Sequence, residues 1–192
     1  MYRAVTLKVL ESGVDPDDAA AVSRLAGAAK VELQRSGFSQ RVLLDGRDVT
    51  DRIRDTDVTR NVSAVSSIRM VREAMVREQR ALSENQGVVL EGRDIGTVVF
   101  PNADLKIFLL ASLEARAERR RKELMERGAD TSLETLKQEI ALRDSLDSTR
   151  KESPLKRADD AIELDTSNLT IDEQVEFVVR KAKEILEKSS NR

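Results

Sequence analysis

Residues 88–112, VVLEGRDIGTVVFPNADLKIFLLAS, hold two short apolar runs with a charged glycine turn between them. Runs of this length that are apolar at successive positions suit strands buried on both faces, the pattern of a parallel sheet. Parallel strands need long crossovers, and the flanking sequence offers helices for that purpose. Residues 62–83 read as one long helix with Val65, Ile68, Val71, Met75 and Leu82 on a loose stripe. LEARAERRRKELMERG reads as a charged helix ending at a glycine stop. The next helix opens with Thr131-x-x-Glu134, a capping-box pattern. DDAIELDTS offers a last strand, and Thr170-x-x-Glu173 caps a final amphipathic helix through Ile171, Val175, Val178, Ile185 and Leu186. Strands separated by helices argue for the α/β class with a mostly parallel sheet. Val88–Leu90 is expected to be a strand whose end carries Arg93 and Asp94, with Gly92 letting the backbone turn.

The N-terminal part has a different rhythm. Residues 2–12 carry Val5, Leu7, Val9 and Leu10 in a helical pattern that stops at Gly13. A second helix is expected directly after Asp15-Pro16, with the proline in its first turn. Val31 and Leu33 alternate with polar residues, RSGFSQ turns, and Val42 and Leu44 answer, which is a hairpin pattern. DGRDVTDRIR follows as a turn and a short helix. KSSNR reads as a free tail.

Composition narrows the chemistry. The chain of 192 residues has neither His nor Cys. That excludes a disulfide framework, a thiol nucleophile, a Ser-His triad, a histidine general base and a zinc site of the usual ligands. Catalysis must therefore run on carboxylates, Arg, Lys, hydroxyls and backbone. With 33 basic and 35 acidic residues the net charge is −2, so there is no global pull toward nucleic acid or an anionic membrane. Aromatics make up only 3%, too few for a base-stacking platform. No apolar run is long enough to span a bilayer, and the N-terminus lacks signal-peptide order, so the expected compartment is the cytoplasm.

Taken alone, Arg93-Asp94 reads as a salt bridge closing a loop. Arginines placed elsewhere shift that weighting: Arg3, Arg72, and Arg143 and Arg150 flanking Asp147. Guanidinium forks bind phosphate bidentately and stay charged at any physiological pH. A chain without His but with placed arginines suits phosphoryl transfer, which depends mainly on positioning and charge neutralisation. RAERRRK, residues 116–122, reads as a solvated helix face balanced by Glu114, Glu118 and Glu123, or as an arginine arm that closes over transferred phosphates.

MYRAVTL, GRDVTDRIR, VREAMVREQR, VVLEGRDIGTVVFPNADLKIFLLAS, EARAERRRKEL and RDSLDSTRKESPLKRADDAIELDTSNLTI occur in an order that resembles the bacterial cytidylate kinases. The resemblance covers residues 1 to about 187, and the GRD-x-GT-VVFP and RD-x₂-D-x₂-R blocks are specific together. It implies a P-loop kinase-like parallel sheet flanked by helices, with a β-rich monophosphate-binding insert at 28–58 and a helical lid region at 113–150 in one domain, 1–192. It further implies transfer of the γ-phosphate of ATP to CMP or dCMP, with Mg²⁺ accompanying ATP, in a monomer that binds neither nucleic acid nor membrane. Arg3, Arg93 and Arg150 would hold the CMP phosphate, with Tyr2 beside Arg3 in the substrate-binding set. Ser63, Arg72 and Asp94 would read the cytosine edge, Asp94 accepting from the exocyclic amine. Arg143 and Asp147 would hold the sugar hydroxyls. Arg116, Arg119 and Arg120 would sit on the lid over ATP, and Arg93, Arg150 and Arg120 would be the catalytic arginines.

One part of the family pattern is missing from these residues. A strand, a loop of the G-x-x-x-x-G-K-[ST] type and a helix open such kinases, yet none of the eight glycines here precedes a lysine. Met1 aligns with an interior position of the pattern, so the expectation is a record that begins part-way into the fold. As written, the chain is then expected to be poorly stable and inactive as a kinase, because backbone N–H groups and the loop lysine cradle the donor phosphates. Two other readings stand beside the enzyme: a CMP-binding relative without catalysis, and an interaction protein exposing an open sheet edge.

Overall fold

The stripe of Val5, Leu7 and Val9 folds as a helix, α1, spanning Tyr2–Glu11, and all three side chains are fully buried. The computed structural model describes residues 1–37, 39–84 and 87–190. The chain divides into two compact units, Met1–Val89 with Arg150–Glu152, and Leu90–Thr149 with Ser153–Arg192.

In the first unit α2 spans Ala19–Gly27. It starts later than the proline predicts. The Asp18 carboxylate caps it, accepting from the amides of Ala20 and Ala21 at 3.1 and 3.0 Å. Pro16 instead lies in a preceding turn in which the Asp17 amide donates to Asp15 Oδ1 at 3.0 Å. The expected hairpin is present. β1, Val31–Ser36, pairs antiparallel with β2, Ser39–Leu44, in the register Val31 to Leu44. Phe38, within the expected turn, lies outside the described residues. A short β3, Arg47–Asp48, adds to β2, and Arg52–Arg54 forms one turn of 3-10 helix. These elements share a core with α3, Thr56–Ser67, and α4, Arg69–Ala81, through Val22, Leu44, Val58, Val65, Val71 and Met75.

The long helix expected over 62–83 is two helices. Ile68 is extended, with φ −74 and ψ 121. The hydroxyls of Ser66 and Ser67 bond back to the carbonyls of Ser63 and Ala64 at 3.3 and 2.7 Å, a local competition with helix continuation.

In the second unit β4, Ile107–Leu110, pairs parallel with β5, Ile162–Asp165. The crossover between them carries α5, Leu113–Glu126, and α6, Leu133–Thr149, which pack on each other. Ser112 caps α5, and the helix ends in a Schellman turn, with Ala129 N–H on Leu124 O at 2.9 Å. α6 is capped by the Ser132 hydroxyl, which accepts from the Thr135 amide at 3.1 Å, one residue beyond the expected Thr131. The final helix, α7, spans Ile171–Ser190. Its capping box forms as read: the Thr170 amide donates to Glu173 Oε2 at 2.7 Å, and the Glu173 amide to Thr170 Oγ1 at 3.3 Å. The expected KSSNR tail is helical through Ser190, and residues 191 and 192 lie outside the described residues.

Val88–Leu90 is not a strand, and Val89 is 96% exposed. A strand exists only where a neighbour takes its backbone hydrogen bonds, and among the described residues none pairs with this run. Leu109 and Leu110 of β4 and Ile171, Val175 and Leu186 of α7 are likewise exposed. No helix among the described residues is long and apolar enough to cross a membrane.

Replacing Leu7 by Ala should lower the unfolding free energy of the first unit by about 2–5 kcal/mol, from lost transfer energy plus a cavity. Thr170→Ala should cost about 1 kcal/mol through the lost cap. Urea titration of the two variants against the parent chain checks both values.

Candidate active site

Gly92 opens the site in the second unit, for a reason the sequence does not reveal. Its φ is not in the left-handed region; a Cβ there would stand 2.9 Å from Ile95 Cγ1. The close approach belongs to a wide π-type turn over Ile95–Val99, where the Phe100 amide donates to the Ile95 carbonyl at 2.7 Å. The Asp94 carbonyl accepts from the amides of Thr97, Val98 and Val99 at 3.3, 2.9 and 3.3 Å. Such turns cost helix regularity and recur at functional positions. This one carries Arg93 and the buried Asp94 at its start.

Arg93 turns to α6. Its Nε lies 3.2 Å from Asp147 Oδ2, and Arg143 Nε lies 3.8 Å from the same oxygen. The Asp147 side chain is 4% exposed, whereas those of Arg93 and Arg143 are 38% and 33% exposed. A buried carboxylate thus sits beneath guanidiniums that keep open faces. Burial first, and the Arg93 charge second, lower the pKa of Arg143 from its ordinary value, with Asp147 and Asp144 opposing the shift. An arginine starts high enough to stay charged under any physiological condition.

Three arginines of α5 are anchored, each differently. Arg116 pairs with Asp144 at 2.6 Å, joining α5 to α6. Arg119 donates to the Thr166 carbonyl and, at 3.3 Å, to its hydroxyl, beyond the end of β5. Arg120 pairs within its own helix with Glu123 at 3.1 Å. The Nε atoms of Arg116 and Arg143 are buried without a hydrogen-bond acceptor among the described residues. Buried donors of this kind normally find a partner, and an anion's oxygens would supply one.

The first unit assembles Tyr2, Arg3, Ser63 and Arg72 on α1, α3 and α4. Arg3 donates to Ile53 O and Thr59 Oγ1, both at 2.9 Å. Arg72 is buried; its Nη1 donates to Ser66 O at 2.9 Å, and its guanidinium lies 5.2 Å from the centroid of the Tyr2 ring. That distance is within cation–π range. Ser63 stands one helical turn before the break at Ile68, half-buried. Arg150 belongs to this unit by the division of the chain and is half-buried.

Comparison with known proteins decides the family. A family model described as cytidylate kinase matches residues 1–184. The chain belongs to the cytidylate kinase family. Proteins named cytidylate kinase from Bacillus thuringiensis (strain Al Hakam), Bacillus cereus (strain AH187) and Bacillus anthracis (strain A0248) are each 51% identical to it over 179 residues. Each match covers 93% of this chain and 80% of the relative. Membership makes the chain a phosphotransferase of nucleotides, using ATP as donor. The mixed α/β architecture agrees with a P-loop kinase-like fold.

In a cytidylate kinase the electrostatics of the second unit have a direct use. Arg93, Arg143, Arg116 and Arg120 outnumber the carboxylates that pair with them, Asp147, Asp144 and Glu123, so this region suits anionic phosphate. Among the described residues no group of three or more acidic side chains is placed to hold a metal ion. Asp144, the partner of Arg116, is not among the residues the sequence singles out. The signal was present in the RD dipeptide at 143–144, because successive helical residues point along different sides of α6.

Asp147→Asn would leave Arg93 and Arg143 near each other without the intervening charge. The expected loss is about 1–3 kcal/mol in unfolding free energy, less than for a fully buried pair because both guanidiniums are partly solvated. Denaturant titration of D147N would read it, and an unchanged midpoint would mean that the triad carries no structural energy.

Proposed function

We propose, against the inactivity expected from the lack of a Gly-Lys pair, that this chain carries out the reaction of its family on CMP or dCMP, moving the γ-phosphoryl group of ATP to the acceptor phosphate. The observation that carries this reading is the Arg93–Asp94 pair: adjacent residues of opposite charge, one guanidinium partly open, one carboxylate buried at the start of the wide turn. Arg93 takes the acceptor phosphate and Asp94 the exocyclic amine of cytosine. A pyrimidine with a carbonyl at that position would instead face the carboxylate with an acceptor and be rejected. Arg72 and Ser63 read the rest of the base edge, Arg3 and Arg150 help hold the phosphate, and Tyr2 supports Arg72 through its ring. Arg143 and Asp147 engage the sugar hydroxyls.

Arg116, Arg119 and Arg120 form the lid face over ATP, within the region 113–150, and the antiparallel sheet of β1–β3 belongs to the monophosphate-binding insert at 28–58. Lid closure would require Arg116 and Arg120 to exchange Asp144 and Glu123 for phosphate oxygens. Charge neutralisation by Arg93, Arg120 and Arg150 then offsets the negative charge of the transferring group. Bound with ATP, Mg²⁺ would supply further neutralisation of its phosphates; among the described residues no cluster of acidic side chains is placed to hold it. The named kinase relatives favour this catalytic reading, and nothing in the matches supports a non-catalytic CMP sensor or a strand-accepting interaction protein.

Calorimetric titration with CMP and UMP, alongside CMP-dependent ADP formation, tests the reading. CMP should bind tighter than UMP. Asp94→Ala should weaken CMP binding by about tenfold or more, the value of a charge-assisted hydrogen bond, and UMP far less. Equal losses for both nucleotides would remove Asp94 from base recognition.

A further inference from the structure

Lys106 stands outside every role assigned so far, yet its side chain is 7% exposed and its charge is held on both sides. Nζ donates to Asp160 Oδ1 and Oδ2 at 2.9 and 2.8 Å, and also to the Pro101 carbonyl. The stem runs beneath the wide turn: a Cβ placed on Gly96 would meet Lys106 Cδ at 3.3 Å and Cγ at 3.5 Å. The backbone of the same residue starts the parallel pair, its carbonyl accepting from the Ile162 amide at 3.0 Å. One residue therefore joins the foot of the sheet, the chain leaving the turn at Pro101, and the underside of the turn at Gly96.

We infer that Lys106 is a positioning residue for the Arg93–Asp94 pair, a charged strut that fixes the wide turn over Ile95–Val99 from below. The inference rests on the proposed role of that pair in nucleotide binding. The physical reason is the weakness of the turn itself. Its hydrogen bonds converge on the Asp94 carbonyl instead of forming a regular ladder, so its shape needs support from outside. Burying an ammonium is costly unless it is paired and hydrogen-bonded. Here the carboxylate of Asp160 and the Pro101 carbonyl offset that cost and set where the stem lies. Gly96 is the complementary device, since a side chain there would need the space that the lysine stem occupies.

The experiment compares Lys106→Met, which keeps an unbranched stem and loses the charge, with Lys106→Arg, which keeps the charge. Amide hydrogen exchange is read at Thr97, Val98 and Val99, with the Ile162 and Thr166 amides of the β4–β5 pair as internal reference. The expected result for K106M is exchange faster by about tenfold at the turn, unchanged exchange at the reference amides, and a CMP-over-UMP preference reduced by about tenfold. K106R should recover part of both. Faster exchange throughout the second unit, or a lower melting temperature with the turn amides and the CMP-over-UMP preference intact, would overturn the inference by making Lys106 merely structural. Should K106M fail to fold, Asp160→Asn and Gly96→Ala disturb the strut from its two ends, and the same local pattern is required of them. The D94A titration separates the two ideas. If D94A leaves the preference unchanged, the nucleotide reading fails, and the exchange measurement, which needs no nucleotide, still decides the strut.

Discussion

A carboxylate buried in α6 sets the terms for the second unit. Burying the Asp147 carboxylate without close positive partners would be costly, because desolvating an unpaired charge costs on the order of several kcal/mol. Its partners come from different places: Arg93 from the turn after Gly92, and Arg143 from one turn earlier on the same helix. Meeting that demand pins the GRD segment to α6. Asp144, next on the helix, holds Arg116 and so brings α5 into the same electrostatic set. The carboxylates are fewer than the guanidiniums, and the positive surplus is what a phosphate ester would meet.

The composition gives that surplus its meaning. A chain without His or Cys has no side chain whose ordinary pKa lies near neutrality. Its chemistry must be done by placing fixed charges, and phosphoryl transfer is a reaction in which this suffices. In the first unit neutral groups take part in placing two arginines: Arg3 donates to the Ile53 carbonyl and the Thr59 hydroxyl, and Arg72 donates to the Ser66 carbonyl with its guanidinium over the Tyr2 ring. The interruption at Ile68 matters for this arrangement, since it leaves Ser66 at an open helix end where its carbonyl can accept from α4.

Local signals were legible where they act over a few residues. The apolar stripe of α1, the alternation of Val31 and Leu33 with Val42 and Leu44, the glycine stop after α5 and the reciprocal cap of Thr170 and Glu173 all formed as read. The misreadings share a cause. Val88–Leu90 looks like a strand from composition, but strand identity depends on a partner elsewhere in the chain. The stripe over 62–83 continues through Ile68, and its periodicity hides the competition from the Ser66 and Ser67 hydroxyls. Gly92 reads as freedom for the backbone to turn, whereas the constraint is the approach of Ile95.

The sequence by itself determined which chemistry is open to this protein, through the absence of His and Cys, and which family it belongs to, through motifs spread from Tyr2 to Thr170. It also settled the end of α5 and the start of α7, where the capping groups lie within a turn of the amides they serve, but not the starts of α2 and α6 or the break at Ile68. Only the tertiary structure decided which carboxylate each arginine takes, that β4 pairs with β5, and that a lysine outside both motifs' charged residues lies beneath the turn that presents Arg93 and Asp94. Those outcomes depend on side chains far apart in the chain competing for the same few partners, and spacing along a sequence carries no record of that competition.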